Sequence, residues 1–377
     1  MPYWRLSGFY FFYFATLGVL VPYWGLYLQS IGFTPVDISY LVAILMFSRI
    51  VAPLVWGWLA DHRERRMTVV RTASLLTLVV FTGVFFGKSF WWLAFIMLLF
   101  SFFWHASLPV LEVLVMRHTA SRPGAYGRVR MWGSIGFIVS VTALGMVIDA
   151  QGAWWILPAL MTLMLGIWLF SLTLPESEMK NPVEHAGSFR KAFLRPEVFA
   201  LLLACFLMQI SHGPYYTFYS IYLEGFGYSK TAIGLLWAFA VVCEIGVFLL
   251  MQRLLARVAL RTVLVASFFL AVVRWLLIGH YPESLAVLVL AQALHAATFG
   301  SFHATAMQLV YRFFTGKHQH RGQAIYGSLG FGIGGAVGSL YSGHVWVTLG
   351  PTMAFNIAAA SAGLACLVAY FLIKPTS

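Results

Sequence analysis

Twelve apolar runs, each long enough to cross a lipid bilayer as a helix, dominate this sequence. A bilayer core about 30 Å thick takes roughly 20 helical residues. Only 10% of the 377 residues are charged and 61% are hydrophobic, so no soluble fold of this size could bury the apolar surface. We therefore predict an all-α membrane protein with twelve transmembrane helices, spans 1 to 12. They cover residues 6–30, 36–60, 67–87, 90–117, 126–148, 153–173, 197–223, 229–252, 261–280, 284–312, 323–346 and 351–373.

An internal repeat divides the spans into two sets of six. Residues 27–34 match residues 222–229 at an offset of 195 positions, and residues 132–137 match residues 326–331 at an offset of 194. The longest polar stretch, residues 175–196, lies between spans 6 and 7. We expect an N-terminal six-helix bundle (1–174), a cytoplasmic linker (175–196) and a C-terminal six-helix bundle (197–377). Parallel six-helix repeats are the layout of the major facilitator superfamily of transporters.

The distribution of Lys and Arg predicts the orientation. Of the 24 basic residues, Lys88 and Lys230 lie on one side of the membrane and three lie well inside spans. The other 19 lie on the side that holds both termini. Cytoplasmic loops are enriched in Lys and Arg, so we expect both termini in the cytoplasm and a location in the inner (plasma) membrane. Basic loops that face anionic lipid account for the net charge of +12 without nucleic acid as a partner.

Glycine and proline in several spans predict close packing and broken helices. Spans 5 and 11 are rich in glycine, which lets helix backbones approach closely in lipid. We expect the Gly213-Pro214 pair to interrupt span 7 and Pro22 to interrupt span 1. Such breaks are tolerated where the backbone lines a cavity.

Five ionisable residues lie well inside the spans, where a charge is costly and therefore indicates function. They are Glu112, Glu244, Arg49, Arg130 and Arg274. At the offset of 195, Arg49 and Glu244 occupy equivalent positions in spans 2 and 8. We expect Arg130 to be within reach of both carboxylates. A carboxylate that exchanges an arginine for an apolar neighbour changes its proton affinity, so Glu112, Arg130 and Glu244 are candidates for proton coupling. The alternative is a set of static ion pairs that hold helices together.

Two histidines in span 10 extend this hypothesis. His295 and His303 are eight residues apart, which places them about 80° apart around an ideal helix. His295 is a further candidate for proton coupling. The alternative for both is a hydrogen-bonded packing role. The spacing of the two histidines does not suit a metal ion, and we predict no metal site. We also predict no cofactor.

Polar and aromatic side chains in the middle of spans are candidates to line a solute cavity. They are Tyr23, Arg49, Tyr215, Tyr219, Arg274 and His303. Aromatic walls would suit a planar solute. The alternative for the tyrosines is a role as interfacial anchors, which aromatic residues commonly have at the ends of spans.

The segment from Gly57 to Arg66 resembles the loop between spans 2 and 3 of the major facilitator superfamily, although Glu64 stands where the family pattern has glycine. The resemblance implies that Asp61, Arg65 and Arg66 brace a cytoplasmic gate. The alternative is a solvated basic loop that only fixes the topology.

A narrower resemblance covers nearly the whole chain. Residues 126–134, 272–275 and 294–299, with segments 109–112 and 242–244, resemble the phenylpropionate permease family. That family is similar to the lactose permease and to nucleoside–proton symporters. The resemblance implies a major facilitator fold of twelve helices in two six-helix repeats. It also implies proton-driven uptake, with small aromatic carboxylates as one class of solute.

We therefore expect a secondary active transporter that takes up a small organic solute with protons by alternating access. Its partners would be the solute, the proton and the lipid bilayer, and it would function as a monomer. Because no catalytic motif stands out, we do not expect an enzyme. Sugars and nucleosides are alternative solutes, and a non-transporting solute sensor on the same fold is the alternative function.

Overall fold

A computed structural model describes residues 2–62, 66–119, 122, 124–176 and 189–374. In these ranges, eleven helices are long and apolar enough to cross a membrane. They are Tyr3–Ser30, Pro35–Leu59, Met67–Phe85, Phe90–Met116, Ala125–Gln151, Ala153–Thr173, Pro196–Gly225, Lys230–Leu255, Leu260–His280, Leu285–Phe313 and Pro351–Leu372. Span 11 consists of three shorter consecutive segments, Gln319–Tyr326, Gly327–Gly334 and Gly335–Thr348. The predicted all-α fold is confirmed.

The ends of the helices follow local sequence signals. At the start of span 2, Thr34 Oγ1 donates to Asp37 Oδ2 at 2.6 Å, and the Asp37 backbone N–H donates back to Thr34 Oγ1 at 3.2 Å. This reciprocal cap fixes the first turn. Before span 12, Gly350 adopts a φ of 86°, which glycine reaches without steric cost, and Pro351 begins the helix.

The chain divides into two compact units. Unit 1 comprises Met1–Asn181 and Gly227–Ala238, and unit 2 comprises Pro182–Phe226 and Phe239–Ser377. The first turns of span 8 belong to unit 1, where the Asp149 carboxylate accepts hydrogen bonds from the backbone N–H groups of Lys230 and Thr231 at 2.9 and 2.8 Å. The partial positive charge of a helix N-terminus stabilises a carboxylate at this position.

In unit 1, spans 1 and 5 lie so close together that only glycine fits at the points of contact. A Cβ atom on Gly136 would overlap the backbone of Phe11, and one on Gly18 would overlap the backbone of Phe137. Beside these contacts, Ser140 Oγ donates to the carbonyl oxygen of Ala15 at 2.9 Å. The small residues thus let the two backbones meet directly.

In unit 2, spans 7 and 11 make the same kind of contact. A Cβ atom on Gly213 would overlap the backbone of Gly338, and one on Gly334 would lie 2.9 Å from the carbonyl oxygen of Phe206. Spans 7 and 11 are the repeat counterparts of spans 1 and 5. The prediction that the glycines of spans 5 and 11 serve close packing is confirmed.

The interruptions of the helices differ in part from those expected. Span 7 is divided as predicted, because one helix ends at Ser211 and the next begins at Gly213. The predicted interruption of span 1 was wrong, since Pro22 lies inside the continuous helix Tyr3–Ser30. The packing of span 1 against span 5 holds the helix on both sides of Pro22. On the N-terminal side of the proline, Gly18 packs against span 5. On its C-terminal side, the Tyr23 hydroxyl donates to the carbonyl oxygen of Val141 at 2.7 Å.

Two glycines of span 5 provide a matched test of this packing. Gly136→Ala places a methyl group into the backbone of Phe11, whereas Gly127→Ala meets no atom within 4 Å. We expect Gly136→Ala to destabilise unit 1 by about 1–3 kcal/mol, as overpacking does. Gly127→Ala should be neutral or slightly stabilising, because alanine favours the helix. Thermal unfolding of the detergent-solubilised protein measures both. Equal unfolding temperatures for the two variants would contradict this account.

Candidate functional site

The most deeply buried charge among the described residues of unit 2 is that of Arg274 in span 9, whose side chain has no exposed surface. Its Nε donates to the carbonyl oxygen of Ala291 at 3.0 Å, its Nη1 to Thr298 Oγ1 at 3.2 Å and its Nη2 to Gln292 Oε1 at 3.1 Å. All three acceptors belong to span 10 and are uncharged. Within the described part of the chain, no carboxylate oxygen lies within 4 Å of this guanidinium. Arg274 is therefore a buried cation whose hydrogen-bond partners are all neutral.

Two aromatic rings complete the surroundings of Arg274. Its guanidinium carbon lies 4.1 Å from the ring centroid of Tyr215 in span 7 and 4.5 Å from that of Trp275. The electron-rich faces of these rings attract the cation. The Tyr215 hydroxyl donates to Gln292 Oε1 at 3.1 Å, so this oxygen accepts from two donors. The ring and the hydroxyl of Tyr215 thus tie span 7 to spans 9 and 10.

Two buried polar atoms of unit 2, Gln292 Nε2 beside Arg274 and His212 Nε2, have no hydrogen-bond partner among the described residues. The His212 ring packs edge-on against Trp275 at 4.9 Å. A buried polar group without a partner is costly, and such groups gather where a ligand binds. Three of the five N–H donors of Arg274 bond to neutral oxygens of span 10.

Glu244 in span 8 and His295 in span 10 form an acid–histidine pair. Glu244 Oε2 lies 3.6 Å from His295 Nε2. A Cβ atom on Gly300 would lie 3.2 Å from Glu244 Cγ, so the absence of a side chain there lets Glu244 approach span 10. His295 Nδ1 is buried and has no hydrogen-bond partner in the described ranges. The pair can hold one proton between a buried imidazole and a partly exposed carboxylate.

The other candidates in unit 2 lie around this pair. The Tyr219 ring packs against Tyr215 with centroids 4.9 Å apart. His303 lies two turns from His295, and its Nδ1 is 2.9 Å from the Tyr326 hydroxyl. Glu244, His295, Arg274, Tyr215, Tyr219 and His303 therefore belong to one continuous polar and aromatic cluster, the Arg274 cluster.

In unit 1, Arg49 pairs with a histidine that the sequence analysis did not single out. Arg49 Nε donates to His105 Nε2 at 3.2 Å, and His105 Nδ1 lies 2.8 Å from Ser48 Oγ. Because arginine only donates, His105 Nε2 must be unprotonated and the proton sits on Nδ1. The Ser48 hydroxyl accepts a hydrogen bond from this N–H group and donates one to the carbonyl oxygen of Leu45 at 2.9 Å. His105 thus serves Arg49 as a neutral imidazole. Its position inside an apolar span was the available sequence signal.

Glu112 and Arg130 share Tyr10 as a neighbour. The hydroxyls of Tyr10 and Tyr126 both lie 3.4 Å from Glu112 Oε1. The guanidinium carbon of Arg130 lies 5.8 Å from the Tyr10 ring centroid and 3.9 Å from that of Phe14. Tyr10 thus stands between the carboxylate and the guanidinium.

The remaining candidates lie apart from these clusters. The Tyr23 hydroxyl contacts backbone carbonyl oxygens of Val141 and Lys230 at 2.7 and 3.2 Å, all within unit 1. Arg65 lies outside the described residues, as do the side chains of Asp61 and Arg66. In the residues that are described, no three His, Cys, Asp or Glu side chains are grouped as a metal ion requires.

Comparisons with known proteins place the chain in a family. Residues 3–357 match the MFS_1 like family. The chain is 30% identical over 352 residues to a probable 3-phenylpropionic acid transporter of Escherichia coli (strain K12), and the match covers 92% of each chain. It is 26% identical to a maltose permease of Geobacillus stearothermophilus, over 89% of this chain and 86% of that protein.

Solved structures show the same fold. The nucleoside transporter NupG superposes with a TM-score of 0.83 at 16% identity, over 100% of each chain. A bacterial homologue of the human lysosomal transporter Spinster, in an inward-facing and unoccupied conformation, gives a TM-score of 0.74 at 14% identity, over 100% of this chain and 99% of that one. The chain therefore belongs to the MFS_1 like family and is a membrane transporter of the major facilitator superfamily.

Proposed function

We propose that this transporter is a proton symporter that takes up a small organic anion, with an aromatic carboxylate of the phenylpropionate type as its solute. The observation that carries the proposal is the fully buried Arg274, whose three hydrogen-bond acceptors are all neutral. A cation buried without a counter-charge is stabilised by an anionic ligand. Guanidinium groups bind carboxylates strongly through paired N–H···O bonds.

The neighbours of Arg274 support an aromatic acid as the ligand. The guanidinium and the unpartnered Gln292 Nε2 beside it offer donors for a carboxylate. The rings of Tyr215 and Tyr219 and the edge of Trp275 offer aromatic surface close by. The relationship to a probable 3-phenylpropionic acid transporter favours the same class of solute.

A sugar is the second candidate solute, because a maltose permease is also among the relatives. Sugars are bound mainly by neutral hydrogen bonds, and the buried guanidinium would then lack an anion. The charge of Arg274 favours the acid.

Glu244 and His295 are the groups that we propose to carry the proton. The Tyr215 ring lies against both Arg274 and His295, so the guanidinium carbon is within about 10 Å of the imidazole centroid. At that separation and an effective dielectric constant of about 20, two unit charges interact by about 1.7 kcal/mol. A carboxylate bound to Arg274 would offset the repulsion between Arg274 and a proton on the pair. Solute and proton would therefore bind with positive coupling, and each would raise the affinity for the other by up to about 18-fold.

The unit 1 candidates belong to the same proposal. Arg49, oriented by His105, and Tyr23 would contact the solute on its path, and Glu112 and Arg130 would take part in proton coupling. From the resemblance alone, Asp61, Arg65 and Arg66 would brace the cytoplasmic gate. We also propose that the protein acts as a monomer in the inner membrane with both termini in the cytoplasm.

Arg274→Lys tests the solute site. Lysine keeps the charge but loses the planar fork that donates to three acceptors and binds a carboxylate. We expect solute-dependent proton uptake by proteoliposomes to fall at least about tenfold with 3-phenylpropionate, a loss of about 1.4 kcal/mol or more. Arg261→Lys, at the start of the same span, is the matched control and should transport normally. Wild-type protein should respond to the aromatic acid and not to maltose or nucleosides. Full transport by Arg274→Lys would exclude a bidentate role.

Glu244→Gln tests the proton pair. The amide is similar in shape but cannot take up a proton, so uphill accumulation of solute should be lost while exchange of labelled for unlabelled solute persists. Solute affinity of the wild type should fall as the pH rises through the range in which the pair loses its proton, and this dependence should flatten in the variant. Glu283→Gln, in the loop before span 10, should behave as the wild type. Accumulation against a gradient by Glu244→Gln would refute the coupling role.

A reporter fused to the C-terminus tests the orientation. Green fluorescent protein should fluoresce there, because it folds in the cytoplasm, and alkaline phosphatase at the same place should stay inactive. The reverse pattern would show that the C-terminus, and with it the side richer in Lys and Arg, faces away from the cytoplasm.

A further inference from the structure

Span 10 carries a column of three parallel rings, those of His295, Phe299 and His303. The centroids of His295 and Phe299 lie 5.3 Å apart with an interplanar angle of 6°. Those of Phe299 and His303 lie 6.1 Å apart with an angle of 7°. The phenyl ring therefore stands between the two imidazoles.

Span 10 is not a regular α-helix at this point. Residues Ala296–Ser301 form a π-helix between the α-helices Leu285–His295 and Phe302–Phe313. A π-helix closes its hydrogen bonds over five residues rather than four, so it turns less per residue than an α-helix and changes which residues share a face. His295 and His303, which an ideal helix would separate by about 80°, thus stack on one face.

Each histidine has a second titratable group beside it. Glu244 Oε2 lies 3.6 Å from His295 Nε2, and the Tyr326 hydroxyl lies 2.9 Å from His303 Nδ1. The phenyl ring of Phe299 carries no exchangeable proton. The phenyl ring packs on both imidazoles, at centroid distances of 5.3 and 6.1 Å, and so separates the two rings. A proton cannot pass directly from one pair to the other while Phe299 remains in place.

We propose that Phe299 is a gate on the proton route, which separates a loading pair, Glu244 and His295, from a release pair, His303 and Tyr326. The proposal rests on the proton symport proposed above and adds the second pair and the gate. With the ring in place, a proton stays on the loading pair. When the ring moves aside, water can join the two histidines and the proton can reach His303.

The surroundings of Phe299 allow such a movement. The ring is half-buried, and its further aromatic neighbour is Phe331, at 6.3 Å in an edge-on arrangement. Phe331 belongs to the second π-helical segment, Gly327–Gly334, in which every second or third residue is glycine. Glycine restricts the backbone least, and a Cβ atom on Gly330, beside Phe331, would meet no atom closer than 3.5 Å, so this part of the segment has room to rearrange. Phe331 also contacts His303 and Tyr326, so one rearrangement would reach the gate and the release pair together.

Phe299→Ala separates the gate from simple packing. If the ring only packs, its removal destabilises the protein but opens no path. If it is a gate, the space it leaves admits water between the two histidines. Proteoliposomes with an imposed pH gradient, an entrapped pH dye and no solute measure the proton flux. We expect the flux to rise by about tenfold or more above the wild type, which corresponds to a barrier lower by about 1.4 kcal/mol.

Two further variants and one control make the result specific. Phe299→Leu, which keeps part of the volume, should give an intermediate flux and covers the case in which the alanine variant does not fold. Adding His303→Gln to Phe299→Ala should abolish the extra flux, because the release pair is lost. Phe302→Ala removes a fully buried ring of the same span that packs on Phe268, and it should leave the flux unchanged.

The outcomes distinguish the gate from the symport on which it rests. Wild-type flux in both the alanine and leucine variants would overturn the gate, and a leak that survives His303→Gln would overturn the route through His303. Solute-driven proton uptake by the wild type tests the symport separately. Its absence would refute the symport, whereas the solute-free leak reports on Phe299 alone.

Discussion

The burial of the Arg274 charge is the constraint on which the arrangement of unit 2 depends. Moving an ion out of water costs several kcal/mol even after the protein relaxes, and arginine does not lose its proton to avoid this. Three neutral oxygens of span 10 and the faces of Tyr215 and Trp275 offset part of the cost. Each of these contacts also fixes a span. The residue that would attract the solute therefore also holds spans 7, 9 and 10 in register.

The repeat-equivalent positions 49 and 244 carry side chains of opposite charge, Arg49 in unit 1 and Glu244 in unit 2. Each pairs with a histidine, Arg49 with His105 of span 4 and Glu244 with His295 of span 10, and spans 4 and 10 are themselves counterparts. Arg49 needs an unprotonated nitrogen as its acceptor, so a second proton on His105 would break the contact. Glu244 needs a donor, so a proton on His295 strengthens the pair. This asymmetry favours the pair in unit 2 as the carrier of the proton.

The sequence predicted the features that depend on hydrophobicity and side-chain size. Span lengths follow from the thickness of the bilayer, and the glycines of spans 5 and 11 pack backbones together as expected. It did not predict features that depend on local backbone geometry. Pro22 stays inside a continuous helix because span 5 holds span 1 on both sides. The π-helix in span 10 changes the face on which His303 lies, and no residue in Ala296–Ser301 signals it. The pairing of Arg49 with His105 also depends on helix rotation, which periodicity alone does not fix.

In the proposed cycle, electrostatics couples the binding of the solute to the binding of the proton. Uptake of an anion into a cell that is negative inside is opposed by about 2.3 kcal/mol per charge for each 100 mV. One proton carried with each carboxylate makes the cycle electrically neutral and removes that opposition. In this proposal Arg274 would favour an anion, and the anion, by offsetting the field of Arg274, would favour a proton on Glu244 and His295. The Tyr215 ring, which touches both groups, keeps them close enough for this effect without joining them by a hydrogen bond. A neutral solute would not change the charge beside the pair, and its binding would leave the proton where it was.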